Sequence, residues 1–261
     1  MALSLNPIKF GTDGWRGIIA ADFTMERVAK VAPLAARVLA DNYGQKGERR
    51  VIVGYDRRFM AEDFAYQAAK AIQAAGFDVL LAEDYAPTPA LSWAAFKERA
   101  LGAIVITASH NPATYLGLKV KGAFGGSVGQ EITQQIEALL ESTSQQTDTP
   151  GSLTKFDPWE SYCTELRSKV KIDAIRGAIL TGKLKVFADV MHGAAATGLN
   201  RLLDCPIEEI NGNRDPLFDG GAPEPLPRYL SQIFRRIRTV AHQEKDSLRV
   251  GLVFDGDSDR I

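Results

Sequence analysis

The chain has 261 residues, 45% of them hydrophobic and 24% charged, proportions that exclude a disordered or collagen-like polymer and favour one large or two modest α/β units. A formal net charge of -1 without a long basic run leaves no electrostatic footprint for nucleic acid. No uncharged apolar run of about 20 residues offers a membrane span, and the start MALSLNPIKF lacks a targeting pattern.

The first helical pattern begins near Thr24, with Val28, Val31, Ala35, Val38 and Leu39 at three- and four-residue steps and Pro33 as a candidate kink. Residues 50–54 (RVIVG) read as a buried strand, 61–75 as an alanine-rich helix closed by Gly76, and 77–82 as the next strand. A helix over 90–99 leads to a third apolar strand at 103–107 (AIVIT). Residues 117–128 contain four glycines and suggest a strand and tight turn before a helix over 129–140. Short apolar strands alternating with helices indicate βαβ units packed as a helix-covered sheet, whose post-strand loops commonly carry ligand sites.

The polar, aperiodic segment 142–152 (STSQQTDTPGS) reads as a linker, placing a boundary near residue 155. Beyond it the alternation repeats: helix 159–170, strand 184–189, a helix after Gly193, helix 230–243 and strand 249–254. Cys163 and Cys205 are far apart without metal-type spacing and are expected as buried free thiols in a reducing cytoplasm. The last residues form a charged loop after an apolar strand, an unusual end for a domain, so the chain is expected to be a piece of a longer protein.

Three segments could carry chemistry. TASHNP, at 107–112, directly follows the strand AIVIT; there Ser109 can project a hydroxyl and His110 can handle protons near neutral pH, although Ser-His-Asn-Pro equally suits a helix-capping turn. DGDSDR, at 255–260, sets Asp255, Asp257 and Asp259 at alternate positions, and their mutual repulsion is relieved if a hard cation such as magnesium holds them. A calcium loop of that beginning needs glycine where Arg260 stands. FGTDGWRG, at 10–17, could turn backbone N–H groups toward an anion with Arg16 as the fixed charge, or be a plain turn. Lys119, Asp56-Arg57-Arg58 and His192-Gly193 are lesser candidates, each also explained as a solvated or tight turn or an exposed strand position.

In order and spacing, FGTDGWRG, TASHNP followed by GLK, DVMHGAAATG and DGDSDR resemble the phosphoglucomutase/phosphomannomutase family of α-D-phosphohexomutases. The resemblance implies two consecutive three-layer α/β/α domains with mainly parallel, mixed sheets, domain 1 over 1–155 and domain 2 over 156–261, with the sugar-recognition and distal phosphate-binding loops in absent domains 3 and 4. It implies that Ser109 is phosphorylated and that Asp255, Asp257 and Asp259 bind Mg²⁺ with an oxygen of that phosphoserine. Arg260 would contact the phosphate, with Arg16, Lys119 and His110 around it and the last two as general acid/base candidates. Leu116 departs from the family, which usually has asparagine there, and this puts one loop hydrogen bond in doubt.

By the same resemblance, the phosphoserine gives its phosphoryl group to a hexose phosphate. The resulting hexose 1,6-bisphosphate reorients and returns its other phosphoryl group to Ser109. Ser258 resembles the glucose/mannose branch more than the glucosamine branch. By themselves the 261 residues are expected to carry little or no mutase activity. One rival is an aspartyl-nucleophile phosphatase using Asp255; another is a non-catalytic phosphate- or partner-binding fragment.

Overall fold

The computed structural model describes residues 6–45, 48–141, 149–243 and 246–261. In chain order, its first part contains β1 (Phe10–Gly11), β2 (Gly14–Ile18), α1 (Met25–Tyr43), β3 (Arg50–Tyr55), α2 (Ala61–Ala74), β4 (Asp78–Ala82) and α3 (Thr88–Lys97). It continues through β5 (Gly102–Ile106), β6 (Tyr115–Gly122), α4 (Gln130–Ala138) and β7 (Leu153–Phe156). These strands form one mixed sheet in the order β1-β2-β6-β5-β3-β4-β7. β5, β3, β4 and β7 run parallel to one another, whereas β6, β2 and β1 join antiparallel.

Side chains alternate across a strand, so β3 sends Val51 and Val53 to one face and Ile52 to the other. The first face packs on Val28, Val31 and Leu39 of α1, Phe64 and Ile72 of α2 and Ile136 of α4. The second meets Leu91 and Ala95 of α3 together with Trp159 and Cys163 of the following helix, α5 (Pro158–Lys169). Helices on both faces of the sheet give three layers. α1 starts at Thr24, whose hydroxyl accepts from the Arg27 N–H at 3.3 Å, and it continues past Pro33 as one element.

The second part holds α6 (Ile172–Leu180), β8 (Leu184–Asp189), α7 (Gly198–Leu203), β9 (Glu208–Ile210), α8 (Ser231–Gln243) and β10 (Leu248–Val253). Its sheet is parallel throughout, in the order β10-β8-β9. Phe187 packs on Ile233 and Val240 of α8. Its neighbour Ala188 lies among Ile172 of α6 and Leu203 of α7. Three layers therefore recur, and both sheets match the expected α/β/α class.

Several local expectations are altered. FGTDGWRG is a hairpin, with Phe10 opposite Trp15 and Gly11 opposite Gly14, and β2 continues the sheet beside β6. Gly14 has φ +112°, and a Cβ there would lie 2.5 Å from the Leu118 carbonyl, so the turn and close strand approach require this glycine. The helix expected from residue 90 starts at Thr88, and the helix after Gly193 starts at Gly198. Residues 142–148 of the expected linker lie outside the described residues. The expected boundary at 155 falls inside β7, which pairs with β4 at the edge of the first sheet. Cys163 and Cys205 are buried and free, and among the described residues no helix is long and apolar enough to cross a membrane.

Candidate active site

The loop after β5 is fixed from beneath by the residues following β3. Asp56 accepts the Thr107 hydroxyl at 2.6 Å on one carboxylate oxygen and the Arg58 N–H at 3.0 Å on the other. The Thr107 hydroxyl in turn accepts the Ser109 N–H at 2.8 Å. Arg58 is fully buried, and its guanidinium donates to the carbonyls of Ser109 (2.6 Å), Asn111 (2.7 Å), Pro112 (3.0 Å) and Tyr115 (3.2 Å). The planar fork of donors suits this fan of acceptors. Burial pushes the Asp56 carboxyl up to about 6, against the opposing pull of Arg58 and Thr107. Ser109 itself takes φ 52°, a left-handed conformation held by these bonds.

The second half of the site comes from the loop after β10. Asp255 and Asp257 are fully buried and Asp259 is exposed, and one ligand atom from each lies within 4.8 Å of the others. The Ser109 hydroxyl donates to Asp255 Oδ2 at 2.8 Å, linking residues 146 positions apart. Gly256 makes that approach possible: a Cβ there would stand 2.4 Å from the Ser109 carbonyl oxygen. Burial, then repulsion from Asp257 and Asp259, pushes the Asp255 carboxyl up to about 7. Asp257 is held below the usual carboxylate range: burial opposes its charge, but Lys119 outweighs it.

Lys119 projects from β6 with only 1% exposure, its Nζ lying 2.6 Å from Asp13, 2.7 Å from Asp257 and 2.7 Å from Asp259. Burial disfavours its charge, yet the three carboxylates raise its proton affinity above that of an ordinary lysine. Arg260 donates to Ser109 Oγ at 2.8 Å and lies 2.6 Å from His110 Nδ1. Since guanidinium only donates, Nδ1 accepts and His110 is the neutral Nε2–H tautomer. Burial, followed by the charges of Arg260 and Arg16, holds its pKa below the ordinary value. Arg16 reaches the same loop through Asn111 Oδ1 at 2.5 Å.

Ser109, His110, Lys119, Asp255, Asp257, Asp259 and Arg260 thus meet in one cluster, with Arg16 joined to the serine loop. His192 stands apart: its ring nitrogens lie 3.0 Å from the Asn213 carbonyl and 3.2 Å from Asp219. Leu116 is buried in the first core rather than offering a polar group to the loop. Arg58 and Asp56, noticed in sequence only as a charged turn, prove to frame the serine. Asp13 lies inside the FGTDGWRG segment without distinguishing itself there, and Thr88, which donates to Asp257, has no sequence signal beyond preceding a proline.

The donor set fits a hard divalent cation. All three groups are carboxylates, the chemistry that magnesium prefers. Asp257 Oδ1 is buried with no hydrogen-bond partner among the described residues, a costly state that a cation would relieve. A serine hydroxyl, a neutral imidazole, buried ammonium and guanidinium groups beside such a site form an environment suited to handling a phosphoryl group.

Residues 7–147 match the family model described as phosphoglucomutase/phosphomannomutase, alpha/beta/alpha domain I, and residues 160–261 match domain II. The chain is 33% identical over 259 residues to a phosphoglucosamine/phosphogalactosamine mutase of Sulfurisphaera tokodaii, covering 96% of this chain and 53% of that protein. It is 29% identical over 259 residues to a phosphoglucomutase/phosphomannomutase of Thermococcus kodakarensis, covering 96% and 54%. A solved structure of a putative phosphomannomutase from Thermus thermophilus superposes with a TM-score of 0.82 at 34% identity, covering 98% of this chain and 56% of the other. The chain spans about half the length of the curated relatives it matches. With both of its α/β/α regions matched, the chain belongs to the phosphoglucomutase/phosphomannomutase family of α-D-phosphohexomutases.

Proposed function

We propose that this chain supplies the phosphoryl-donor half of a phosphosugar mutase that interconverts hexose 1-phosphate and hexose 6-phosphate through a phosphorylated Ser109. The observation that carries the reading is the 2.8 Å bond between Ser109 Oγ and Asp255, made beside an unpartnered buried oxygen of Asp257. It gives a serine hydroxyl the carboxylate neighbours that a phosphoserine with a bound cation requires. The serine loop would belong to the first of two units and the acidic loop to the second, in the cytoplasm.

In the donor step the Ser109 Oγ–P bond breaks as a hexose hydroxyl oxygen bonds to phosphorus; the hydroxyl proton passes to a protein base, and the departing Ser109 oxygen takes a proton from a protein acid. Neutral His110 suits that base once its Nδ1 exchanges the Arg260 bond for the hexose hydroxyl, while Lys119, held as a charged ammonium until then, is the acid for the departing Ser109 oxygen. Arg260 and Arg16 orient the phosphoryl oxygens. Asp255, Asp257 and Asp259 would hold Mg²⁺, which when bound supplies Lewis-acid neutralisation of phosphoryl charge. The hexose 1,6-bisphosphate then turns over and rephosphorylates Ser109, so it serves both as intermediate and as activator.

Glucose and mannose phosphates are the proposed substrates on the strength of Ser258, although the names of the relatives span both glucosamine and glucose/mannose mutases. The sugar-selecting half lies outside these 261 residues in this reading. An Asp255 nucleophile fits less well, because its two oxygens accept the Ser109 hydroxyl and the Arg260 N–H. The test is conversion of glucose 1-phosphate to glucose 6-phosphate by a protein of the relatives' full length. Ser109→Ala is expected to abolish conversion, and an active Ser109→Ala enzyme overturns the proposal.

A further inference from the structure

Thr88 opens α3 directly after Pro87 and is 2% exposed. Its backbone N–H, one of the helix-start donors without an intrahelical acceptor, goes to the Asp257 carbonyl at 2.9 Å. Its side-chain hydroxyl donates its one proton to Asp257 Oδ2. Thr88 therefore grips Asp257 at both main chain and side chain, across 169 positions of sequence.

That grip bears on the cation. Lys119 also donates to Asp257 Oδ2, at 2.7 Å, so one carboxylate oxygen takes two donors while Oδ1 stays buried and unpartnered. Rotation of the carboxylate would break both bonds, so Oδ1 is the oxygen left for a cation. Lys119 divides its charge among Asp13, Asp257 and Asp259, whereas the Thr88 hydroxyl has only a single proton to give. Groups that orient a metal ligand in this manner commonly change affinity when removed.

We propose that Thr88 is a positioning residue for the divalent cation: by fixing the Asp257 carboxylate it presets the acidic loop for binding and aligns that loop with the serine loop. This inference rests on the cation-binding reading of Asp255, Asp257 and Asp259.

The experiment is titration of the full chain with Mn²⁺, followed by calorimetry, with Asp257→Asn defining binding that does not belong to the acidic loop. Thr88→Val keeps the side-chain shape and the backbone donor but removes the hydroxyl, and its Mn²⁺ affinity is expected to fall about tenfold. Thr88→Ser returns the hydroxyl and is expected to restore affinity. Thr88→Ala, free of any crowding by the valine methyl, is expected to show the same weakening with unchanged circular dichroism. Wild-type affinity in both the valine and alanine variants, or a serine variant as weak as valine, overturns the role of Thr88. A wild-type chain that binds no more Mn²⁺ than Asp257→Asn overturns the cation reading itself, and the proposal with it.

Discussion

At Asp56 the residue-level physics can be measured without any substrate. The carboxyl is completely buried and raised from 3.8 to about 6, with burial as the largest cause and Arg58 and Thr107 opposing. A carboxyl whose folded-state pKa is raised contributes stability fully below its unfolded value and loses it as pH rises through the folded one. The contribution should therefore be present below about pH 4 and decline to a plateau above about pH 6, a change on the order of 3 kcal/mol from the usual conversion of a pKa shift into free energy. In urea denaturation from about pH 4 to 7, wild type is expected to lose stability relative to Asp56→Asn over that window. A constant difference between the two proteins would refute the account of Asp56. The identity of Asp56 and Arg58 as supports was not readable in the sequence, because a charged pair after a strand has the same local pattern whether it faces solvent or fans out beneath a loop. Ser109, Lys119 and the three acids were readable through motif order, since no local periodicity places residues 146 positions apart in contact.

Among the elements, β3, β4 and β5 are apolar runs flanked by turn residues, and α1 and α2 carry clear three- and four-residue spacing, so their types follow from local sequence. β1 has two residues and β9 three, too few for alternation to register. α6 sets Ile172, Ile175 and Ile179 on one helical face, but its nine residues include Gly177, which dilutes the pattern. β7 and α5 show what local reading leaves open: α5 is legible as a helix over 159–170, but both elements follow the expected linker and both complete the first sheet's layers. Tertiary pairing decided their allegiance. The loop after β10 gives this scale its test. Gly256→Ala would force a Cβ to within 2.4 Å of the Ser109 carbonyl, a main-chain atom that cannot swing aside like a flexible side chain. It is expected to destabilise the protein by about 1–3 kcal/mol, the usual range for overpacking. A thermal unfolding midpoint equal to that of wild type would mean that the two loops have room to part.

In the whole molecule, two sheets each contribute one loop to a shared site, and the bonds between Ser109, Asp255 and Arg260 cross from one to the other. Neither loop has the chemistry alone. The Ser109 hydroxyl lacks a charged partner without the acidic loop, and the acidic loop lacks a phosphoryl acceptor without the serine. The family match and the α/β layers agree with this division, while the choice of sugar depends on groups outside these residues in the proposed reading. The most direct measurement is incubation of a protein of the relatives' full length with hexose 1,6-bisphosphate, radiolabelled in its phosphoryl groups, and Mg²⁺, followed by phosphopeptide mapping. Stoichiometric label on Ser109, dependent on Mg²⁺ and lost in Asp257→Asn, is the predicted result; label on Asp255, or none on Ser109, would contradict the account.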